Sequence, residues 1–371
     1  MRRESRIKKH KPDKPLLITI FVLLILGLII MASASIVVSS ERFNSPYKYF
    51  FHQLLYGIGI GLIGFFVAQK IYYKSWKKLA LPILALVVCG LILVFVPGLG
   101  FGSGGAKRWI DLKVFSFQPT ELVKLGFIIY LAAWLSKKKS EIKSFSKSTF
   151  PFSIFLALFA FFLIAQPDIS TLGVIAITGI IMYFLAGAKI THIISIILAG
   201  AGALFGLIKV APYRMNRFLV FLNPDIDPLG IGYQIKQSLL TVGSGGIFGV
   251  GWGHSRQKYN YLPSPISDSI FAIIAEELGF IVAAGTIVLF LFLAIRGLKI
   301  AKNSPDRFGF LLASGITSWF IVQVFVNIGA ITGLIPLTGI TLPFISYGSS
   351  SIIACLFGAG ILINISKYTE L

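Results

Sequence analysis

Apolar positions along this chain fall in long unbroken blocks, with turn residues and clustered Lys and Arg between them. Ten such blocks, at 16–38, 49–69, 79–98, 117–136, 149–166, 171–187, 191–210, 270–295, 308–332 and 345–366, stand out from the polar remainder. A helix rises 1.5 Å per residue, so blocks of this length can cross a hydrocarbon layer about 30 Å thick. In lipid every backbone N–H and C=O must be satisfied within the segment, which makes each block a helix. The pattern predicts an all-α polytopic membrane protein with about ten transmembrane helices. The two blocks between 149 and 187 are short, as a tilted or broken span would be.

The polar remainder gives the organisation. Residues 1–15 form a basic tail, 16–366 one membrane domain, and 367–371 a short C-terminus. No soluble module or internal repeat is visible, which weakens an inverted-repeat transporter reading. Residues 211–269, between spans 7 and 8, are far longer than a connector needs. Their interleaved aromatic and apolar residues predict an ordered segment, and function is expected there and in the second polar stretch, 99–121.

Composition agrees. Of 371 residues 56% are hydrophobic and 13% charged, more apolar side chain than a soluble protein of this size can hide. The formal charge of +20 would suggest nucleic acid, were it not for where the charge sits. With the N-terminus inside, 22 of the 34 Lys and Arg lie in the two terminal segments and the inner loops. That asymmetry predicts both termini in the cytoplasm, with 99–121 and 211–269 outside; nucleic acid is not an expected partner. Ala32-Ser33-Ala34 resembles a leader-cleavage site, but the apolar run around it is too long and continues, so it reads as an uncleaved span. Cys89 and Cys355 both sit in apolar blocks and imply no disulfide framework.

The acidic residues of YLPSPISDSIFAIIAEELGF (261–280) are the leading chemical candidates. Asp268 stands where the eighth span should begin. It either caps that helix or presents a carboxylate at the membrane boundary that can take a proton from a substrate hydroxyl. Glu276, eight residues on, is about 80° around the helix and roughly 12 Å deeper. It cannot share a target atom with Asp268, and either lines the floor of the same cavity or pairs with a buried cation; Glu277 points to the opposite side. In AKRWIDL and FQPTELVKLG the candidates are Lys107, Arg108, Trp109, Gln118, Glu121 and Lys124. Glu121 and Lys124 are spaced for an intrahelical ion pair, and Arg108 beside Trp109 suits phosphate or sugar as well as an interfacial aromatic belt. Asp168 reads as a cap of the sixth span. Arg214 and Arg217 share one side of an amphipathic helix and, with Lys236, could hold a pyrophosphate or touch lipid headgroups. The glycines of TVGSGGIFGVGWG (241–253) fit a compact turn-rich loop better than a phosphate cradle, because no strand precedes them and no Gly-Lys-Ser/Thr follows. The four histidines show no metal-ligand spacing.

In chain order, GAKRWIDL with FQPTELVKLG, QPDIST, GYQIKQSLLTVGSGGIFGVGWGHSRQKYNYLP, SDSIFAIIAEELGF and NIGAITGLIPLTGITLPFISYGSSS resemble the shape, elongation, division and sporulation (SEDS) family of bacterial envelope proteins. The resemblance covers residues 105–351, and GVGWGHSRQKYNYLP is similar to the division and sporulation branch, FtsW-like rather than RodA-like. Two departures stand out. PSPISD replaces the usual Pro-Glu-x-His-Thr-Asp, keeping only Pro263 and Asp268, and Gly348-Ser349 replaces Gly-Gly. The resemblance implies a peptidoglycan glycosyltransferase of the bacterial cytoplasmic membrane that polymerises lipid II at the outer face, beside a class B penicillin-binding protein and other division or elongation proteins. It implies that Asp268 is the catalytic residue. An inverting displacement needs one base for the acceptor hydroxyl and cationic help for the departing undecaprenyl pyrophosphate. Arg214, Arg217, Lys107, Arg108 and Lys124 are the implied phosphate contacts, and a divalent cation (Mg or Mn) could bridge the pyrophosphate. A lipid II flippase and a non-catalytic scaffold are the competing readings.

Overall fold

The computed structural model describes residues 9–103, 106–111, 116–210 and 212–369; within these, the side chains of Ser103, Ala106, Val210 and 212–214 are left aside. The ten predicted spans are helices α1 (Lys14–Phe43), α2 (Lys48–Lys70), α3 (Tyr73–Leu93), α4 (Pro119–Lys137), α5 (Phe145–Ala165), α6 (Ile169–Leu185), α7 (Ile190–Val210), α10 (Ile270–Lys302), α11 (Arg307–Ile331) and α12 (Ser349–Ser366). Nine of these are long and apolar enough to cross a membrane; α6, one of the two expected short spans, is the tenth. Two shorter helices, α8 (Pro212–Leu222) and α9 (Ile231–Ser244), occupy the long segment before α10.

Two expectations need correction. The third span begins at Tyr73, not at 79, and ends at Leu93. Lys74, Lys77 and Lys78 hid its first turns in the hydropathy pattern, because lysines at a helix end bury their stems and reach out with their charge. The fold is also not purely helical. Residues 100–117 carry a three-stranded antiparallel sheet, β1 (Gly100–Ser103), β2 (Ala106–Asp111) and β3 (Ser116–Phe117). Its residues alternate too briefly to show in a scan for long blocks.

The core is formed by α4, α11 and α12. Within their apolar windows 78%, 83% and 89% of residues are buried, against 6% in α7, which marks α7 as a lipid-facing edge. Apolar attraction between helices is weak in lipid, so close packing and interhelical polar bonds hold the bundle. Asp13 caps α1 by accepting from the Leu16 N–H at 2.8 Å, and its other oxygen pairs with Arg296 of α10. Asn364 of α12 donates to the Gln69 carbonyl at 2.7 Å.

The glycine run ending α9 has an unexpected task. Helix α10 breaks at Gly279 (φ 79°, ψ 179°), which frees backbone groups on both sides. Val250 and Gly251 donate their N–H groups to the carbonyls of Glu276 and Glu277, at 2.9 and 3.0 Å. Phe280 and Ile281 donate in turn to the carbonyls of Gly246 and Ile247, at 2.9 and 3.3 Å. The loop thereby splices into the helix and satisfies the four groups the break exposes, which lipid could not do. A Cβ at Gly249 would lie 2.3 Å from the Glu277 carbonyl oxygen, so only glycine admits this approach. The compact-loop reading of 241–253 holds, and the phosphate-cradle reading gives way.

Candidate functional site

Pro263 and Pro265 keep the chain out of helix until Ser269, the N-cap position of α10, which makes no side-chain capping bond. Asp268 is therefore not the cap. Its Oδ1 accepts from the Ser267 hydroxyl at 2.7 Å, and Asn327 of α11 donates to its backbone carbonyl at 2.8 Å. Burial pushes the Asp268 carboxyl above its ordinary pKa; the Ser267 hydroxyl and the positive charge of Arg217 oppose this more weakly. A carboxylate short of solvent and of cation partners is a stronger proton acceptor than one in water.

The turn around Asp268 is fixed by the irregular stretch between α11 and α12. Tyr347 donates its N–H to the Ile266 carbonyl at 2.8 Å, and the Ser346 hydroxyl donates to the Ser267 carbonyl at 2.5 Å. Asn327 holds Asp268 and the Ile340 carbonyl (2.7 Å) with one amide nitrogen. The same stretch reaches the buried polar cluster of α4. Lys124 pairs with Glu121 at 2.8 Å and donates to the Gln323 side-chain oxygen at 2.9 Å. Gln323 donates to the Thr341 carbonyl at 2.9 Å, Thr341 meets Ser351 at 2.8 Å, and Ser350 accepts from the Gln118 N–H at 2.9 Å. One segment, 340–351, thus supports both Asp268 and the Glu121–Lys124 pair.

The remaining candidates separate. Arg217 is exposed on α8 and acts electrostatically on Asp268. Arg214 shares that helix, but its side chain lies outside the described residues. Lys107 is exposed on β2 and Trp109 half-buried. Arg108 donates to the backbone carbonyls of Gln166 (3.1 Å) and Pro167, so it braces the sheet against the α5–α6 turn and not a phosphate. Lys236 pairs with Asp225 on the exposed side of α9. Asp168 caps α6 as expected, accepting from the Thr171 N–H at 3.2 Å. The Glu276 carboxylate takes the Ser255 hydroxyl and the Arg256 N–H (3.0 Å), holding the loop to α10.

Sequence reasoning missed Lys258, Gln323 and Asn327. Lys258 is buried and donates to Glu277 at 3.1 Å, Ser33 at 2.9 Å and the Gly253 carbonyl at 2.6 Å. No local spacing connects residues so far apart. Gln323 and Asn327 did leave a signal: two amides four apart in an apolar helix share a face and are costly in lipid unless partnered.

The family described as "Cell cycle protein", FtsW/RodA/SpoVE, matches residues 14–371. Stage V sporulation protein E of Bacillus subtilis (strain 168) is 44% identical over 98% of this chain and 99% of its own length. The probable peptidoglycan glycosyltransferase FtsW of Geobacter metallireducens is 38% identical over 95% of this chain and 94% of its own. Among solved structures, a chain from work on structural coordination of polymerization and crosslinking by a peptidoglycan synthase complex aligns with TM-score 0.78 and 27% identity, covering 96% of this chain and 97% of that one. The rod shape determining protein RodA of Thermus thermophilus aligns with TM-score 0.71 and 26% identity, covering 97% and 98%.

Proposed function

Because this chain belongs to the FtsW/RodA/SpoVE family of cell cycle proteins, on its FtsW- and SpoVE-like side, we propose that it is a peptidoglycan glycosyltransferase that polymerises lipid II, with Asp268 as general base. The observation that carries the residue assignment is the Asp268 carboxyl itself: it is not spent on capping, burial raises its pKa, and it makes no ion pair among the described residues, with the Ser267 hydroxyl on one oxygen and Asn327 on its backbone carbonyl. Its carboxylate takes the proton of the acceptor sugar hydroxyl as that oxygen attacks the anomeric carbon of the lipid-linked donor. The bond from that carbon to the pyrophosphate oxygen breaks, and the configuration inverts. Cations near the leaving group offset its growing charge; Arg217 is the best supported, and Arg214 and Lys107 are the other candidates. Among the described residues no three carboxylate, imidazole or thiolate groups come together.

The charge distribution supports a cytoplasmic-membrane location with Asp268 facing outward. The synthase complex that the fold matches supports a crosslinking partner, in this reading a class B penicillin-binding protein.

Glycan synthesis from lipid II by the purified protein with its partner, compared with Asp268→Asn, tests the proposal. A loss of at least about 100-fold is expected, the usual scale of general-base removal. Normal glycan from the variant rules out the base; no glycan from either protein, with labelled lipid II still crossing vesicles, favours a flippase.

A further inference from the structure

At the end of the bundle opposite the candidate site, α3 and α4 border an open cavity of about 500 Å3. Lys77, Lys78 and Lys137 converge on it, with Tyr130, Trp134 and Leu81 in its wall. Lys137 is thirteen residues beyond Lys124 on α4, so the cavity lies roughly 20 Å from the Glu121–Lys124 pair. None of the chemistry above uses it.

Lysines at helix ends commonly extend into water and mark the cytoplasmic side. These three differ in lining one common cavity. Among the described residues none has a carboxylate within ion-pair distance, although Lys74 on the same turn finds Asp306 at 3.5 Å and Lys138 finds Glu141. Neither the Tyr130 hydroxyl nor the Trp134 indole N–H has a hydrogen-bond partner within the described chain. Five donor-bearing residues therefore line the cavity without an acceptor within the described chain. Leu81, 64% exposed, opens its wall toward the lipid.

We propose that this cavity binds the phosphate headgroup of an anionic phospholipid from the inner leaflet. Three cations and two neutral donors complement a phosphodiester, and the lipid-facing wall accommodates an acyl chain. Such interhelical basic pockets suit anionic headgroups, which lysines attract strongly near a membrane surface. A bound lipid would brace the inner end of α4, whose outer end carries Gln118, Glu121 and Lys124.

The test uses the full-length protein in nanodiscs of phosphatidylcholine, with and without phosphatidylglycerol, read by native mass spectrometry and thermal melting. Phosphatidylglycerol should remain bound and raise the melting midpoint. The K77Q/K78Q/K137Q variant should bind it on the order of 100-fold more weakly, from about fivefold per lysine near the surface. K77R/K78R/K137R should retain it, as should K139Q/K143Q/K189Q, which removes three exposed lysines that do not line the cavity. If the glutamine triple fails to fold, Trp134→Phe keeps the apolar ring, removes the donor and should weaken binding several-fold. Equal loss in the two glutamine triples, or equal stabilisation by inorganic phosphate at matched concentration, overturns the proposal. Asp268→Asn should keep the lipid, so this result and the catalytic one fail independently.

Discussion

Asp268 and Lys124 show how one kind of environment gives two charges different fates. The raised pKa of Asp268 means that its proton is held to higher pH than an ordinary carboxylic acid holds one. A base must be ionised to act, so the acid limb of the pH profile for glycan synthesis should lie above about pH 4, the usual carboxylate value. The sign for stability is the reverse. The folded state favours the protonated acid, so that contribution is fully present below the unfolded pKa and is lost as pH rises through the folded value. Melting curves of wild type and Asp268→Asn should therefore diverge across that window, with the asparagine variant lacking the fall. Lys124, by contrast, is neutralised by Glu121 at 2.8 Å, and both are buried. Lys124→Met strands the carboxylate and should cost about 3–5 kcal/mol in unfolding measurements. Adding Glu121→Gln should recover much of that loss; no recovery would mean that the two are not a structural pair.

Beside the close packing of helices, one backbone exchange joins elements of this fold. The splice of 246–251 into the α10 break ties the long segment to the helix whose first turn follows Asp268. Gly246 and Gly249 both have positive φ, at 55° and 82°, but only Gly249 is hemmed in by backbone. Gly246→Ala should cost only the left-handed penalty of about 1–2 kcal/mol. Gly249→Ala should cost clearly more, because no side-chain adjustment can move the Glu277 carbonyl. Thermal melting in detergent with a glycan-synthesis assay separates the two; equal effects would mean that the splice opens easily.

The whole molecule is a polarised bundle. Its lysine-rich end holds the cavity between α3 and α4, and the opposite end carries the sheet, α8, α9 and the turn at Asp268. Orientation can be tested with single cysteines on a Cys89→Ser background, since Cys355 is buried. A membrane-impermeant maleimide should label Leu229→Cys on intact cells and Lys143→Cys only after permeabilisation. The opposite pattern would invert the chain and move Asp268 to the wrong side for outer-face synthesis.

By itself the sequence determined the number of spans, their order and the end that gathers positive charge. Each of these follows from a local demand: a segment in lipid must satisfy its own backbone, and lysines avoid the hydrocarbon wherever the fold places them. It also singled out Asp268, because a carboxylate between two prolines and an apolar block has few ways to be tolerated. Only the tertiary structure decided which charges are spent. Arg108 turned from a phosphate candidate into a brace, and Glu276 from a cavity-lining acid into a loop anchor. Lys258 found Ser33 225 residues away, and Lys124 found Gln323 199 residues away. Such partners leave no periodicity in the chain, since a buried charge is satisfied by proximity in space, and the packing of helices alone sets that.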